Sequence, residues 1–268
     1  MRWWLAAALA AAVGVAATLA SCDESEPAET FGLRRKDRLE PEKDDRPIAK
    51  IFRYACQTLD LQGPDLYLRD GQVSSVQVAN TIDKNVLRPS LVFTGQLGDK
   101  LREREALFDV GKRLAFLRPE RFLRYAWPTP PEMETALRGM LLALQVPAPP
   151  VPPGTGDAAE VEHIARELRR TVPPQVLEPM AAAARKWMAG RSSLEMTSWV
   201  AAVDLTASRA GFILCNDFET AARFVSKEGP AQSPLAPKDR LKHLLAYSVS
   251  EDYFQVRRHL GIELEVQK

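Results

Sequence analysis

Proline limits this chain more than any other residue, because it stands at 20 positions. Each proline removes an amide donor and fixes φ, so neither a long strand nor a long straight helix passes through it undisturbed. Regular structure is therefore confined to many short elements. Between the prolines, apolar residues mostly recur at three- and four-residue steps, the period of amphipathic helices. Ile48, Ile51, Phe52, Ala55 and Leu59 lie on one face of a first helix that Gly63-Pro64 breaks. The stretch DLYLRDGQVSSVQVANTIDKNVLRPSLVFTG then reads as short strands, LYL, VQVA and SLVFTG, with turns at Asp70-Gly71 and Asp83-Lys84-Asn85. A helix follows in EREALFDVGKRLAFLRPE, where Leu107, Val110, Leu114 and Leu117 form the apolar stripe.

Further helices are expected in RFLRYAW, PPEMETALRGMLLALQ, DAAEVEHIARELRRT and PPQVLEPMAAAARKWMAG, then a long one across SLEMTSWVAAVDLTASRAGFILCND, and finally FETAARFVS, KDRLKHLLAYSV and EDYFQVRRHLG. Pro128 and Pro130-Pro131 mark a helix start, and residues 147–156 (PAPPVPPGTG) read as an exposed connection. The expected fold is α+β and mostly α-helical: a multi-helix domain with a small β-sheet near its N-terminus.

The chain opens with MRWWLAAALAAAVGVAATLASC: one basic residue, Arg2, then an apolar run over residues 3–20. This is the layout of a secretory signal, and a run of that length also suits an uncleaved membrane helix. Leu19-Ala20-Ser21-Cys22 resembles a bacterial lipobox, which implies cleavage before Cys22 and its modification by diacylglycerol. Residues 1–21 are then the signal peptide, and the mature protein is lipid-anchored in the bacterial cell envelope, facing outside the cytoplasm. An uncleaved anchor and a plain signal peptide are the alternatives. Residues 22–46 (from Asp23, DESEPAETFGLRRKDRLEPEKDDR) are charged and poor in large apolar side chains, so they read as a flexible tether. Residues 47–268 form the folded domain.

With 36 Lys+Arg against 35 Asp+Glu the charge is balanced and interspersed, and removing Arg2 with the leader leaves both counts at 35. Nucleic-acid binding, which needs a basic stripe, is not expected. Cys56 and Cys215 each sit in an apolar helical context and read as small buried hydrophobes, although an oxidising compartment also permits a disulfide between them. His163, His243 and His259 fall on separate helices with no second His one turn away, and read as surface or capping residues. Trp187, Trp199, Phe212, Phe218 and Phe224 recur at helical spacing and read as core, and Asp217 as the N-cap of FETAARFV. No GxSxG, P-loop or GxGxxG is present.

The order of helix, small sheet, helix and a later helix ending in LTASRAGFILCND resembles the gluzincin metallopeptidases related to the CAAX-box prenyl endopeptidase and the bacterial heat-shock membrane protease. EALFDVGKRLA stands where that family carries HExxH, and DLTASRAG stands where it carries a glutamate ligand in an E-x-x-A-D-R-x-G context. The chain is also similar to an uncharacterised module attached to large bacterial tetratricopeptide-repeat proteins. Carried over by position, the first ligand becomes Phe108, the general base Asp109, the second ligand Lys112 and the third Asp204, while the Asp of A-D-R becomes Ser208. Catalytic zinc needs three donors, commonly two His one turn apart and a carboxylate. Phe108 has none and Lys112 is a cation, so the resemblance implies a pseudoenzyme: no catalytic residue, no metal and no cofactor.

Lys112 is expected either to pair with Asp204 where the metal would be, or to point at solvent with Asp204 paired locally. Asp109 and Lys112 read as a helix-surface ion pair. The function implied is binding of a protein or peptide partner, by strand addition to VQVA or SLVF. A structural envelope lipoprotein without a cleft function, and a metallopeptidase with a non-standard ligand set, are the alternatives.

Overall fold

A computed structural model describes residues 28–83, 86–118, 120–127, 129–150, 158–229 and 233–262. The signal peptide, Cys22 and most of the proline-rich connection at 147–156 lie outside the described residues. The protein is mostly helical with a small sheet near its N-terminal end, as the patterning predicts. Among the described residues no helix is long and apolar enough to cross a membrane.

The chain divides into two compact units rather than the single domain expected over residues 47–268. One comprises residues 82–87 and 116–200, and the other residues 28–81, 88–115 and 201–268. Each has its own apolar core, and that is the physical reason for the division.

In the first unit, helices α3 (Leu123–Ala126), α4 (Pro130–Ala143), α5 (Ala158–Thr171) and α6 (Pro174–Met188) supply a core that includes Met133, Leu141, Ala165, Leu168 and Met180. Trp187 and Trp199 pack against it, the core role their spacing implies. The helix expected across RFLRYAW shrinks to the four residues of α3. α4 begins where the prolines indicate. Thr129 is its N-cap: the Glu132 amide donates to Thr129 Oγ1 at 3.4 Å, and the Thr129 amide donates to Glu132 Oε2 at 3.0 Å. Both orphan donors of the first turn are thereby satisfied.

The second unit holds the sheet. Strands β1 (Arg38–Leu39), β2 (Asp65–Arg69), β3 (Ser75–Ala79) and β6 (Ser90–Thr94) lie in the order β1-β2-β6-β3. β6 runs parallel to β2 and antiparallel to β3, and β1 is antiparallel to β2. A separate two-stranded ribbon, β4 (Ile82–Asp83) with β5 (Val86–Leu87), belongs to the first unit. SLVF is therefore central, and its four residues are all buried, as an unbroken apolar run demands. VQVA lies on the edge.

The tether reading needs correction from residue 28 onward. Arg38–Leu39 joins the sheet, and Leu33 and Leu39 are buried. Leu33 packs with Tyr67, Ala79 and Val92, and the Arg69 guanidinium holds the Phe31 carbonyl. Two leucines suffice because the sheet supplies the surface they bury against, which composition alone does not reveal.

α1 (Pro47–Thr58) buries Ile48, Ile51, Phe52 and Ala55, the face that the periodicity gives. α2 (Lys100–Phe116), α7 (Thr197–Cys215), α8 (Phe218–Lys227), α9 (Pro237–Ser248) and α10 (Glu251–His259) follow. Residues of α2, α7, α8, α9 and α10, among them Phe108, Phe212, Val225, Leu244 and Tyr253, form the second unit's helical core, with Phe218 and Phe224 packed against it. Cys56 and Cys215 are free thiols, so the permitted disulfide is not formed.

Candidate functional site

The two motif helices, α2 and α7, meet through glycines. A Cβ on Gly211 would lie 2.6 Å from the Phe108 carbonyl oxygen, and one on Gly111 would lie 3.2 Å from Gly211 Cα. Only hydrogen at both positions allows this approach, and it brings the residues at the resemblance positions together.

Phe108 is fully buried, and its ring lies 5.0 Å from that of Phe224, centroid to centroid. It is a core aromatic with no donor to offer.

Lys112 is buried too, at 6% exposure, which excludes the solvent-pointing alternative. Its ammonium bonds Glu228, the residue that caps the C-terminus of α8, and not Asp204 as the first alternative proposed. Glu228 also receives Arg240 Nη1 on its carboxylate, and Arg240 Nη2 on its backbone carbonyl at 2.8 Å. Arg240 is 2% exposed, and its Nε finds no acceptor among the described residues. One carboxylate thus neutralises two buried cations from α2 and α9.

Burial draws the Lys112 ammonium below the ordinary lysine range, and the charges of Glu228 and, less strongly, Asp204 oppose that pull. Asp204 is therefore an electrostatic neighbour of Lys112 and is itself buried at 2%. Ser208, one turn on, donates its hydroxyl back to the Asp204 carbonyl at 2.9 Å.

Asp109 does not make the surface pair with Lys112 that its spacing suggested. Its Oδ1 pairs with Arg113 Nε at 3.3 Å, and its Oδ2 accepts the Val76 amide of edge strand β3 at 3.2 Å. Burial pushes its carboxyl upward, against Arg113 and the Val76 amide. The carboxylate that the resemblance would align with a general base thus caps a sheet edge.

These residues do not fit a zinc ion. Of the three ligand positions one is a core ring, one an ammonium already bonded to a carboxylate, and only Asp204 has a donor of the right kind. His163, His243 and His259 are exposed on α5, α9 and α10, and among the described residues no group of three His, Cys, Asp or Glu is placed to hold a metal. Asp217 stands at the N-cap of α8 as expected, where its carboxylate accepts the Thr220 hydroxyl at 2.7 Å.

Reading the sequence missed Glu228, Arg240, Arg113 and Val76 as participants. A signal existed for Arg240 alone: it sits at three- and four-residue steps from Leu244 and Tyr247 on the buried face of α9, where a guanidinium needs a partner. Glu228 precedes Gly229-Pro230 and looks like a helix stop.

Elsewhere in this unit, a cleft of about 800 Å³ opens beside β1 and α1. Arg38, Glu42, Phe52, Gln57, Gln62 and Asp65 are among the residues along it. Arg53 braces one wall by donating to the carbonyl of Pro41 and, at 2.9 Å, to that of Asp44.

No protein-family model, curated protein or solved structure matches this chain.

Proposed function

We propose that this chain is a membrane-tethered, non-catalytic lipoprotein that works by binding a protein or peptide partner. The observation that carries this reading is the buried Lys112–Glu228–Arg240 cluster at the place where the peptidase resemblance would require metal ligands. A cation bonded to an internal carboxylate leaves no seat for a second, divalent cation. Strand addition to β3 is a poor route for the partner, since the outward-facing Val76 amide already donates to Asp109. The cleft beside β1 and α1 is the better receptor. Its volume is within the range of small-ligand and side-chain pockets, and its mixed charges suit a polar peptide segment.

Metal analysis of full-length protein purified without chelators, paired with a photo-crosslinker at Gln57 or Gln62, tests the proposal. The expected result is substoichiometric metal and one discrete crosslinked partner from solubilised envelopes, lost when Arg53→Ala unbraces the wall. Stoichiometric zinc would overturn the non-catalytic half and favour a metallopeptidase with a different ligand set. Absence of any discrete adduct would favour a purely structural lipoprotein.

A further inference from the structure

The geometry points to a bilayer-docking face on the second unit, formed by the exposed cations of residues 34–38 and held within about 20 Å of the membrane surface. This inference rests on the lipid-anchor reading of Cys22 and extends it. The described fold begins at Ala28, and from there the chain is committed to the second unit. Leu33 is 1% exposed in a cluster with Tyr67 and Val92, the Arg69 guanidinium holds the Phe31 carbonyl, and Arg38–Leu39 is a strand of the sheet. Only six residue steps separate Cys22 from Ala28. At no more than about 3.5 Å per step, and whatever conformation those residues take, Ala28 cannot stand farther than about 20 Å from the anchored cysteine. A tether running to residue 46 would have allowed four times that reach. The folded N-terminal segment therefore keeps this face of the unit next to the headgroups.

That segment presents Arg34, Arg35, Lys36 and Arg38 to solvent within five residues. Arg34 pairs with Asp37 at 2.8 Å and Arg38 with Asp65 at 2.6 Å, while among the described residues no ion pair engages Arg35 or Lys36. These two are the residues free to meet anionic headgroups, and each basic side chain near such a surface strengthens attachment roughly fivefold at moderate salt. Asp23, Glu24 and Glu26 in the link repel the same surface, so the covalent anchor and the two cations act against them. The complementary partner is an anionic lipid surface.

The test uses full-length protein reconstituted in phosphatidylethanolamine–phosphatidylglycerol vesicles containing a nitroxide-headgroup lipid. A fluorophore is placed at Thr30→Cys in a Cys56→Ala/Cys215→Ala background. Mass spectrometry of the N-terminal peptide is read first. An unacylated Cys22 overturns the anchor reading and the docking face with it. With Cys22 acylated, strong quenching is expected, and its absence overturns the docking face alone. A second chain carries twenty Gly/Ser residues between Asp23 and Glu24, which removes the length constraint. Quenching is expected to persist in it and to fall on adding Arg35→Glu/Lys36→Glu, with docking weakened by roughly 25-fold or more. Far-ultraviolet circular dichroism and a thermal melt of each variant, compared with the parent chain, confirm that it stays folded. If the lengthened chain is unquenched with its native cations, the tether alone sets the proximity and the proposal fails.

Discussion

Lys112 and Glu228 lie 116 residues apart in sequence and form one ion pair, with 8% and 17% of their side-chain surfaces exposed. This pair, with Arg240, ties α2 to the junction of α8 and α9 where the family resemblance would place a metal. A buried pair adds little net stability over an apolar replacement, but removing one partner strands the other.

Glu228→Ala should therefore cost about 3–5 kcal/mol in urea-denaturation stability, because Lys112 and Arg240 both lose their carboxylate, whereas Lys112→Ala should cost less, because Arg240 still pairs with Glu228. Lys112→Ala/Glu228→Ala should not cost the sum of the single changes in a double-mutant cycle. A loss below about 1 kcal/mol for Glu228→Ala would show that the cluster repacks around the deletion.

Gly211→Ala should destabilise by about 1–3 kcal/mol, because its methyl would meet the Phe108 carbonyl oxygen 2.6 Å away and backbone cannot swing aside as a side chain can. Gly111→Ala should cost less. Its closest contact is the end of the Leu214 side chain at 2.3 Å, which has other rotamers. Thermal melts of the two variants side by side check the order, and the reverse order would mean that the helices separate rather than the side chain moving.

Asp109→Ala should speed hydrogen exchange of the Val76 amide by roughly 10- to 100-fold, the loss of one bond to a charged acceptor. Asp109→Asn keeps an acceptor oxygen and should have a smaller effect. Unchanged protection in Asp109→Ala would mean that another group covers the edge of β3.

Cys56 and Cys215 should resist alkylation at neutral pH and react only on unfolding. Burial pushes Cys56 up to about 12 and Cys215 up to about 11. The sign for stability follows from the same shifts. An unfolded thiol ionises near 9 while the folded ones keep their protons, so their contribution is fully present below pH 9 and is lost as pH rises towards 11–12. Denaturation midpoints of wild type and Cys56→Ala/Cys215→Ala between pH 8 and 10 check this. The wild type should fall more steeply, and equal slopes would count against buried thiols.

The positions of α1, α2, α4 and the three main strands were legible because their apolar residues repeat at the period of the element they form, and because Pro47, Pro130 and Gly63-Pro64 sit at its ends. Much of the site was legible by type and not by contact. Lys112 and Asp204 were singled out by position, with an ion pair between them as only one of two alternatives, and the bonded partner of Lys112 lies on a helix end that looked like a plain stop. Asp109 offered a partner at i+3, and the structure chose one at i+4 and a strand amide instead.

The sequence by itself determined the mostly helical class, the short elements and the absence of imidazoles where a zinc helix would need them, since these depend on residue type and local period. Only the tertiary structure decided that Arg38–Leu39 joins the sheet with Leu33 packed beside it, that the described residues form two cores, and that Glu228 answers Lys112. Such outcomes depend on which surfaces meet at long sequence separation, and a buried charge takes its partner from whatever element is folded beside it.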